Sequence, residues 1–313
     1  MPDPAASVPL AEHFTVHDWS PFLVEFTPGI GLRYYGLAYL LGFLGLYLGL
    51  HWQIKKGWLR LKPEDVTNFI TAMIVGVLAG GRLFYCFYYG WEAWQADWLF
   101  PLKLWEGGMA SHGGILGAIA AIFLYARWTR VPFYHLADAT ALCTPPALFL
   151  GRIANFINGE LWGRPSTVSW ARIFPDARPV PVDSLAPAVR EDLIAHYGVL
   201  PGDWINVPRH PSQLYEAALE GLVLFGLLLA VRLLTRRDAF VALGFIGGYA
   251  ILRAIAEIWR APDEHMGFAA EGLTHGQLLS LGQVALAVVL AVIEYRRQNR
   301  RRALENGGPA PPG

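Results

Sequence analysis

Gly151-Arg152-Ile153-Ala154-Asn155-Phe156-Ile157-Asn158-Gly159-Glu160-Leu161-Trp162-Gly163-Arg164 closes a strongly apolar segment that begins near Val131. The stretch places arginine, two asparagines and a glutamate where a membrane helix meets water, and a plain lipid-facing helix has no use for such groups. Around it the chain is bilayer material. Of 313 residues, 54% are apolar and only 16% charged, and the mean hydropathy is positive, a balance that fits a membrane protein better than a soluble one. Lys+Arg and Asp+Glu are equal at 25 each, so nothing attracts nucleic acid and the lipid bilayer is the expected partner. Cys86 and Cys143 both fall in apolar segments, leaving no basis for a disulfide scaffold or a structural zinc.

Working outward from that stretch, seven apolar segments are predicted to span the membrane, at about 34–54, 66–89, 109–127, 132–158, 213–234, 239–259 and 274–294. Each is close to the ~20 residues that cross a ~30 Å hydrocarbon layer. Pro63-Glu64-Asp65 suits the first turn of the second helix, where proline lacks no needed donor and acids face the positive dipole end. Pro145-Pro146 falls inside the fourth and predicts a kink or break. Asp138 lies in the same span and argues that it is interior. The N-terminal residues are rich in proline and acid, with no basic region of a cleaved signal peptide.

Charge in the connections predicts the topology. Counting the helix-end Arg127 and Arg232 with them, the first, third and fifth connections and the tail carry four, two, three and five Lys or Arg, which places them in the cytoplasm and the N-terminus outside. The expected architecture is therefore an all-α polytopic membrane protein: an extracytoplasmic lead-in at 1–31, spans one to four within 32–160, a small extracytoplasmic head at 161–211 with a short helix near 187–197, spans five to seven within 212–295, and a basic, disordered cytoplasmic tail at 296–313.

With that topology the polar residues of the spans gather toward one face. Arg82, Arg152 and Arg253 lie in the outer halves of their spans, and His112, Glu216 and His275 begin three others. A channel distributes polar positions through the full depth, and a transporter concentrates them near the midplane at a repeat interface. No inverted repeat is evident, so a transporter or flippase for an anionic lipid or solute is the alternative, and an enzyme working at the outer headgroup level is preferred. Arg152 and Asn155 are three apart on one helix face, and Glu160 is placed to fold back toward them. Arg253 and Glu257 are four apart, which suits either a structural ion pair or, with Arg152 converging, a guanidinium clamp for phosphate. His112 is flanked by Gly107, Gly108, Gly113 and Gly114, and imidazole is a natural general base near neutral pH. Tyr34 and Tyr35 are open between interface anchors and site groups. His13, His17, His51, His135, His196 and His265 read as ordinary. His210 with Glu216 is the one weak metal pairing, and no metal or cofactor is implied.

These motifs, taken together, resemble the bacterial prolipoprotein diacylglyceryl transferase family. The resemblance rests on Gly151–Gly163, Arg33-Tyr-Tyr-Gly36, His112-Gly-Gly-Ile-Leu-Gly117, Arg209-His-Pro-Ser-Gln-Leu-Tyr-Glu216, Tyr249-x-x-x-Arg253-x-x-x-Glu257 and His275-Gly-Gln277, in one order over about 30–295. It implies an inner-membrane enzyme that moves the diacylglyceryl group of phosphatidylglycerol to the lipobox cysteine thiol of a prolipoprotein, releasing glycerol 1-phosphate on the periplasmic side. The family-critical positions match at Tyr35, His112, Arg152, Asn155, Glu160, Arg253 and Glu257. In that reading His112 takes the thiol proton and Arg152 and Arg253 hold the phosphate. Glu160 orients these groups or binds the headgroup hydroxyls. Tyr35, Asn155, Glu257, Tyr249, Arg82, His210 and Glu216 are the expected substrate-binding residues.

Overall fold

A computed structural model describes residues 10–261, 268–270 and 273–305, with side chains at 10–261 and 277–305. His265, the side chain of His275, the first nine residues and most of the 260–273 loop lie outside this description. The chain is largely helical. Among the described residues, four helices are long and apolar enough to cross a membrane: Tyr34–Lys55, Asp65–Tyr88, Ser212–Leu234 and Gln277–Glu305. Phe240–Ala256 is apolar but shorter, at 17 residues, while Ser111–Thr129 and Phe133–Ile157 occupy the third and fourth expected positions. Among the described residues, four two-stranded ribbons accompany the helices.

The structure departs from the sequence reading in three places. Phe133–Ile157 is one helix running through both Pro145 and Pro146, so the expected break is absent even though two backbone donors are missing. The last helix extends from His275 to Glu305, so residues 296–305, expected to be disordered, are helical; 306–313 lie outside the described residues. The lead-in is not a polar tail throughout. Leu10 and Phe14 are buried, and Thr15–Val16 pairs in parallel with Arg172–Ile173.

The chain divides into two compact units. One comprises Phe43–Cys143 and Thr235–Ala242. Its core gathers Leu50, Val66, Phe69 and Leu136, each essentially inaccessible. Helices Asp65–Tyr88 and Ser111–Thr129 meet along glycines: a Cβ on Gly76 would lie 2.6 Å from the Gly117 carbonyl oxygen, and one on Gly80 would lie 2.8 Å from the Gly117 Cα. Small residues permit such close backbone approach, which drives helix association where lipid removes the hydrophobic incentive. Gly113 belongs to this seam, meeting Phe84 and Gly80, so this glycine beside His112 serves helix packing. Polar groups within the unit are matched pairwise. His135 Nε2 accepts from the Arg60 backbone N–H at 2.9 Å, which leaves Nδ1 to donate to Asp238 at 2.9 Å. Asp138 accepts from the Ala242 N–H at 2.8 Å.

The second unit comprises Met1–Gly42, Thr144–Leu234 and Leu243–Gly313. Its head, formed by the lead-in and the 161–211 segment, folds around Leu10, Phe14, Ile173, Val182, Leu193 and Val207. Full burial of each such side chain contributes about 1.5–3 kcal/mol in water. The head contains helix Pro187–Tyr197, started by proline at its first position and ended by Gly198 at φ +68°. The signature segment leaves its helix and is fastened to this unit at Gly163, whose N–H donates to the His210 carbonyl at 2.9 Å, and at Arg164, whose N–H donates to the Trp259 carbonyl at 2.8 Å. A Cβ on Gly163 would sit 2.5 Å from the Trp259 oxygen and 2.6 Å from that of His210, so only glycine lets three chain segments meet there.

Candidate active site

Three helices of the second unit direct charge to one point. Arg152 comes from Phe133–Ile157, Glu216 and Glu220 from Ser212–Leu234, and Arg253 from Phe240–Ala256, with Glu257 and Arg260 just beyond. The fifth span is α-helical at Ser212–Glu216 and π-helical at Ala217–Val223. A π turn is wider than the 3.6 residues of an α turn, so residues four apart superimpose more closely. Glu216 and Glu220 accordingly face the same way, and both are fully buried.

Glu216 is the hub. Its Oε2 is 2.8 Å from Arg152 Nη1, and its Oε1 is 2.8 Å from Arg253 Nη1 and 3.3 Å from Arg260 Nη1. Glu220 Oε2 accepts from Arg152 Nε at 3.0 Å and Nη2 at 2.9 Å. Glu257 Oε2 completes the set, 3.0 Å from Arg253 Nη2. Three guanidiniums therefore balance three carboxylates, as a low-dielectric site requires. The two central arginines keep a window to the surroundings, with 16% of the Arg152 side chain and 18% of the Arg253 side chain exposed. Among the described residues, Arg253 Nε has no acceptor. Tyr249 lies on the Arg253 helix among these charges, within electrostatic range of Glu220, Arg152 and Arg253.

A second group forms where the Arg152 helix ends. Asn155 Nδ2 donates to the Tyr35 hydroxyl and, at 3.0 Å, to Glu160 Oε1. The chain reverses through Gly159 at φ +66° and Leu161 at φ +56°, and this left-handed turn folds Glu160 back onto Asn155. The turn is clamped from outside its own segment. Gln213 Nε2 donates to the Glu160 carbonyl at 2.6 Å and Ser212 Oγ to the Leu161 carbonyl at 3.1 Å. Burial pushes the Glu160 carboxyl above its ordinary range. His210 lies at the start of the same helix, its Nδ1 3.2 Å from the Tyr215 hydroxyl. Trp170 Nε1 donates to that hydroxyl at 2.6 Å. Burial lowers the His210 pKa and keeps the ring neutral.

Arg152, Arg253, Glu216 and Glu257 thus meet in one cluster, and Tyr35, Asn155 and Glu160 in another of the same unit. Arg82 and His112 belong to the other unit. Arg82 is 2% exposed. Its Nη2 donates to the carbonyls of Phe100 at 2.7 Å and Lys103 at 2.9 Å, its Nη1 to those of Gly107 and, at 3.1 Å, Gly108, and its Nε to that of Pro101 at 3.3 Å. Phe100 also covers the guanidinium at 4.5 Å. The expectation that Arg82 meets substrate finds no free donor; this arginine staples the 100–108 loop. His112 is exposed, stacks on Phe84 with ring centroids 6.4 Å apart, and has no hydrogen-bond partner among the described residues. Glu216 with His210 holds no metal-like arrangement, and no group of three or more His, Cys, Asp or Glu suited to a metal occurs among the described residues. Sequence reading missed Gln213 as a clamp on Glu160, although it sits inside the Arg209–Glu216 motif.

The arrangement defines an integral membrane protein with a charge-balanced, partly open guanidinium cluster beside a carboxylate-bearing turn, suited to an anionic headgroup with hydroxyls. Comparison with known proteins agrees. The family model for prolipoprotein diacylglyceryl transferase matches residues 21–293. A phosphatidylglycerol–prolipoprotein diacylglyceryl transferase of Neisseria meningitidis serogroup A is 41% identical, covering 87% of this chain and 94% of its own. One of Rhodospirillum centenum is 42% identical over 87% and 90% of the two chains. One of Erwinia tasmaniensis is 37% identical over 92% and 96%. The chain belongs to the prolipoprotein diacylglyceryl transferase family.

Proposed function

We propose that Arg152 and Arg253 bind the phosphate of phosphatidylglycerol while this multi-pass protein of the bacterial inner membrane transfers the diacylglyceryl group to the lipobox cysteine of a prolipoprotein. In the reaction the cysteine sulfur attacks a glyceryl carbon, a C–S bond forms, and the C–O bond to phosphate breaks, so that glycerol 1-phosphate departs. An ordinary thiol is only a few per cent ionised near pH 7. His112, exposed at the start of its helix, accepts the thiol proton. Arg152 and Arg253 stabilise the charge that develops on the leaving phosphate. Glu216, Glu220 and Glu257 hold the guanidiniums in place. Glu160, kept against Asn155 and Tyr35, receives the headgroup hydroxyls.

The seven-span reading, with the N-terminus outside and this chemistry at the periplasmic side, accompanies the proposal. It is supported by the basic short connections and by seven helices at the expected places. The observation that carries the site reading is the convergence of Arg152 and Arg253 on the shared, fully buried Glu216. The test is mass spectrometry of a lipobox peptide incubated with the protein and phosphatidylglycerol. Wild type adds one diacylglyceryl unit, and His112→Gln abolishes most of that gain. Normal turnover in His112→Gln would remove the proton-acceptor role, and normal turnover in both Arg152→Ala and Arg253→Ala would remove the clamp.

A further inference from the structure

His17 takes no part in the chemistry above, yet its placement is specific. Strand Thr15–Val16 brings it alongside Arg172–Ile173, and its own N–H donates to the Ile173 carbonyl at 2.8 Å. The imidazole is 4% exposed and packed among Phe156, Phe174 and Trp19, at centroid distances of 4.8, 5.1 and 5.3 Å. Its Nε2 lies 3.2 Å from the carbonyl oxygen of Ile157, the last residue of the Arg152 helix. A carbonyl only accepts, so Nε2 carries the proton, and Nδ1 is left buried with no hydrogen-bond partner among the described residues. Helix-terminal carbonyls lack an intrahelical donor, and His17 supplies one from a distant part of the chain. The same ring also backs the turn: a Cβ on Gly159, at φ +66°, would lie 3.2 Å from it. The residue after Gly159 is Glu160.

We infer that His17 is a positioning residue for the transfer reaction: it locks the Ile157–Gly159 turn so that Glu160 stays on Asn155 and Tyr35, in reach of the phosphatidylglycerol headgroup. The head is thereby part of the site's scaffold, because the strand that delivers His17 is anchored in the head core. The inference rests on the headgroup reading of Glu160.

The test measures kinetics of the full-length protein with phosphatidylglycerol and a lipobox peptide, together with the thermal unfolding midpoint. His17→Phe keeps the ring but removes the donor. It is expected to raise KM for phosphatidylglycerol about tenfold, the scale of a small misplacement of a binding group, while KM for the peptide and the unfolding midpoint stay near wild type. His17→Gln places an N–H near the Nε2 position and restores most of the affinity. In a Glu160→Gln background His17→Phe adds no further loss. Equal effects on both KM values, activity falling only in proportion to folded protein, or additive losses in the double variant would overturn the inference. If His17→Phe does not fold, Gly159→Ala displaces the turn with His17 intact; it is expected to raise the phosphatidylglycerol KM, and an unchanged KM overturns the inference. Full activity in Glu160→Gln would instead remove the headgroup reading itself, whereas loss there with normal kinetics in His17→Phe removes only the role of His17.

Discussion

Arg82 and the Arg152–Arg253 pair bury guanidinium groups in opposite ways. Arg82 is closed off by five backbone carbonyls of one loop; Arg152 and Arg253 are answered by carboxylates and keep part of their surface open. Carbonyls satisfy hydrogen bonds but leave the positive charge uncancelled, and with every donor engaged the side chain can only hold structure. Carboxylates cancel the charge and can share the guanidinium with an incoming anion. Burial of an arginine in a membrane protein is thus an incomplete sign of function; what faces it decides.

The contrast is sharpest at Glu216. Glu216→Ala leaves three guanidiniums around an empty position, and breaking a buried ion pair from one side costs about 3–5 kcal/mol. The expected result is a loss of folded protein in detergent melts, the largest effect of the series. Next come the arginines themselves. Arg253→Ala is expected to lower turnover per folded molecule about a hundredfold, the scale of removing one transition-state donor. Arg82→Ala should do the reverse, lowering the unfolding midpoint while turnover per folded molecule stays near wild type. If Arg82→Ala abolished turnover in a well-folded protein, the distinction between the two burials would collapse.

A smaller effect concerns pH. Burial is the main cause holding His17 below its ordinary pKa of 6.5, with Arg172 acting in the same direction and Asp18 and the carbonyls of Ile157 and Phe156 opposing. The unfolded chain therefore binds this proton before the folded chain does. Stability is full above about pH 6.5 and declines as pH falls through and below that value. Melting followed across this window should show a decline that is absent in His17→Gln. Smallest is Asp97→Asn. Asp97 and Lys103 pair at 2.6 Å near the loop that Arg82 grips, and the pair lowers the Asp97 pKa and raises that of Lys103. Both groups are solvent-screened, so the substitution is expected to leave melting and turnover unchanged, showing that the loop is held by Arg82.

Much of this was legible in residue order. Apolar runs located most helices to within a few residues because lipid demands a continuous apolar length: 34–54 became Tyr34–Lys55, and 213–234 became Ser212–Leu234, whereas the last helix runs on past 294 to Glu305. Spacing also placed Arg253 with Glu257, whereas Arg152 and Asn155, three apart on one helix, turn to different partners. Hydropathy does not say which partner a buried charge meets, so Arg82 and Arg152 looked alike until their acceptors were seen. The prolines are ambiguous for a similar reason. Missing donors at Pro145 and Pro146 weaken a helix locally, but the surrounding bundle decides whether it breaks. His17 was unreadable because its partners, Ile157 and Gly159, are distant in sequence and its neighbours carry no motif.

The last helix has a mechanical consequence. It contains 31 residues, about 46 Å at 1.5 Å of rise per residue, against roughly 30 Å of hydrocarbon. The surplus carries Arg296, Arg297, Arg300, Arg301 and Arg302. On a floppy tail these charges would wander; on a rigid rod they become a depth gauge. Guanidinium groups fixed along a rigid helix meet a phosphate plane at a set depth, which limits how far such a helix can sink into a bilayer.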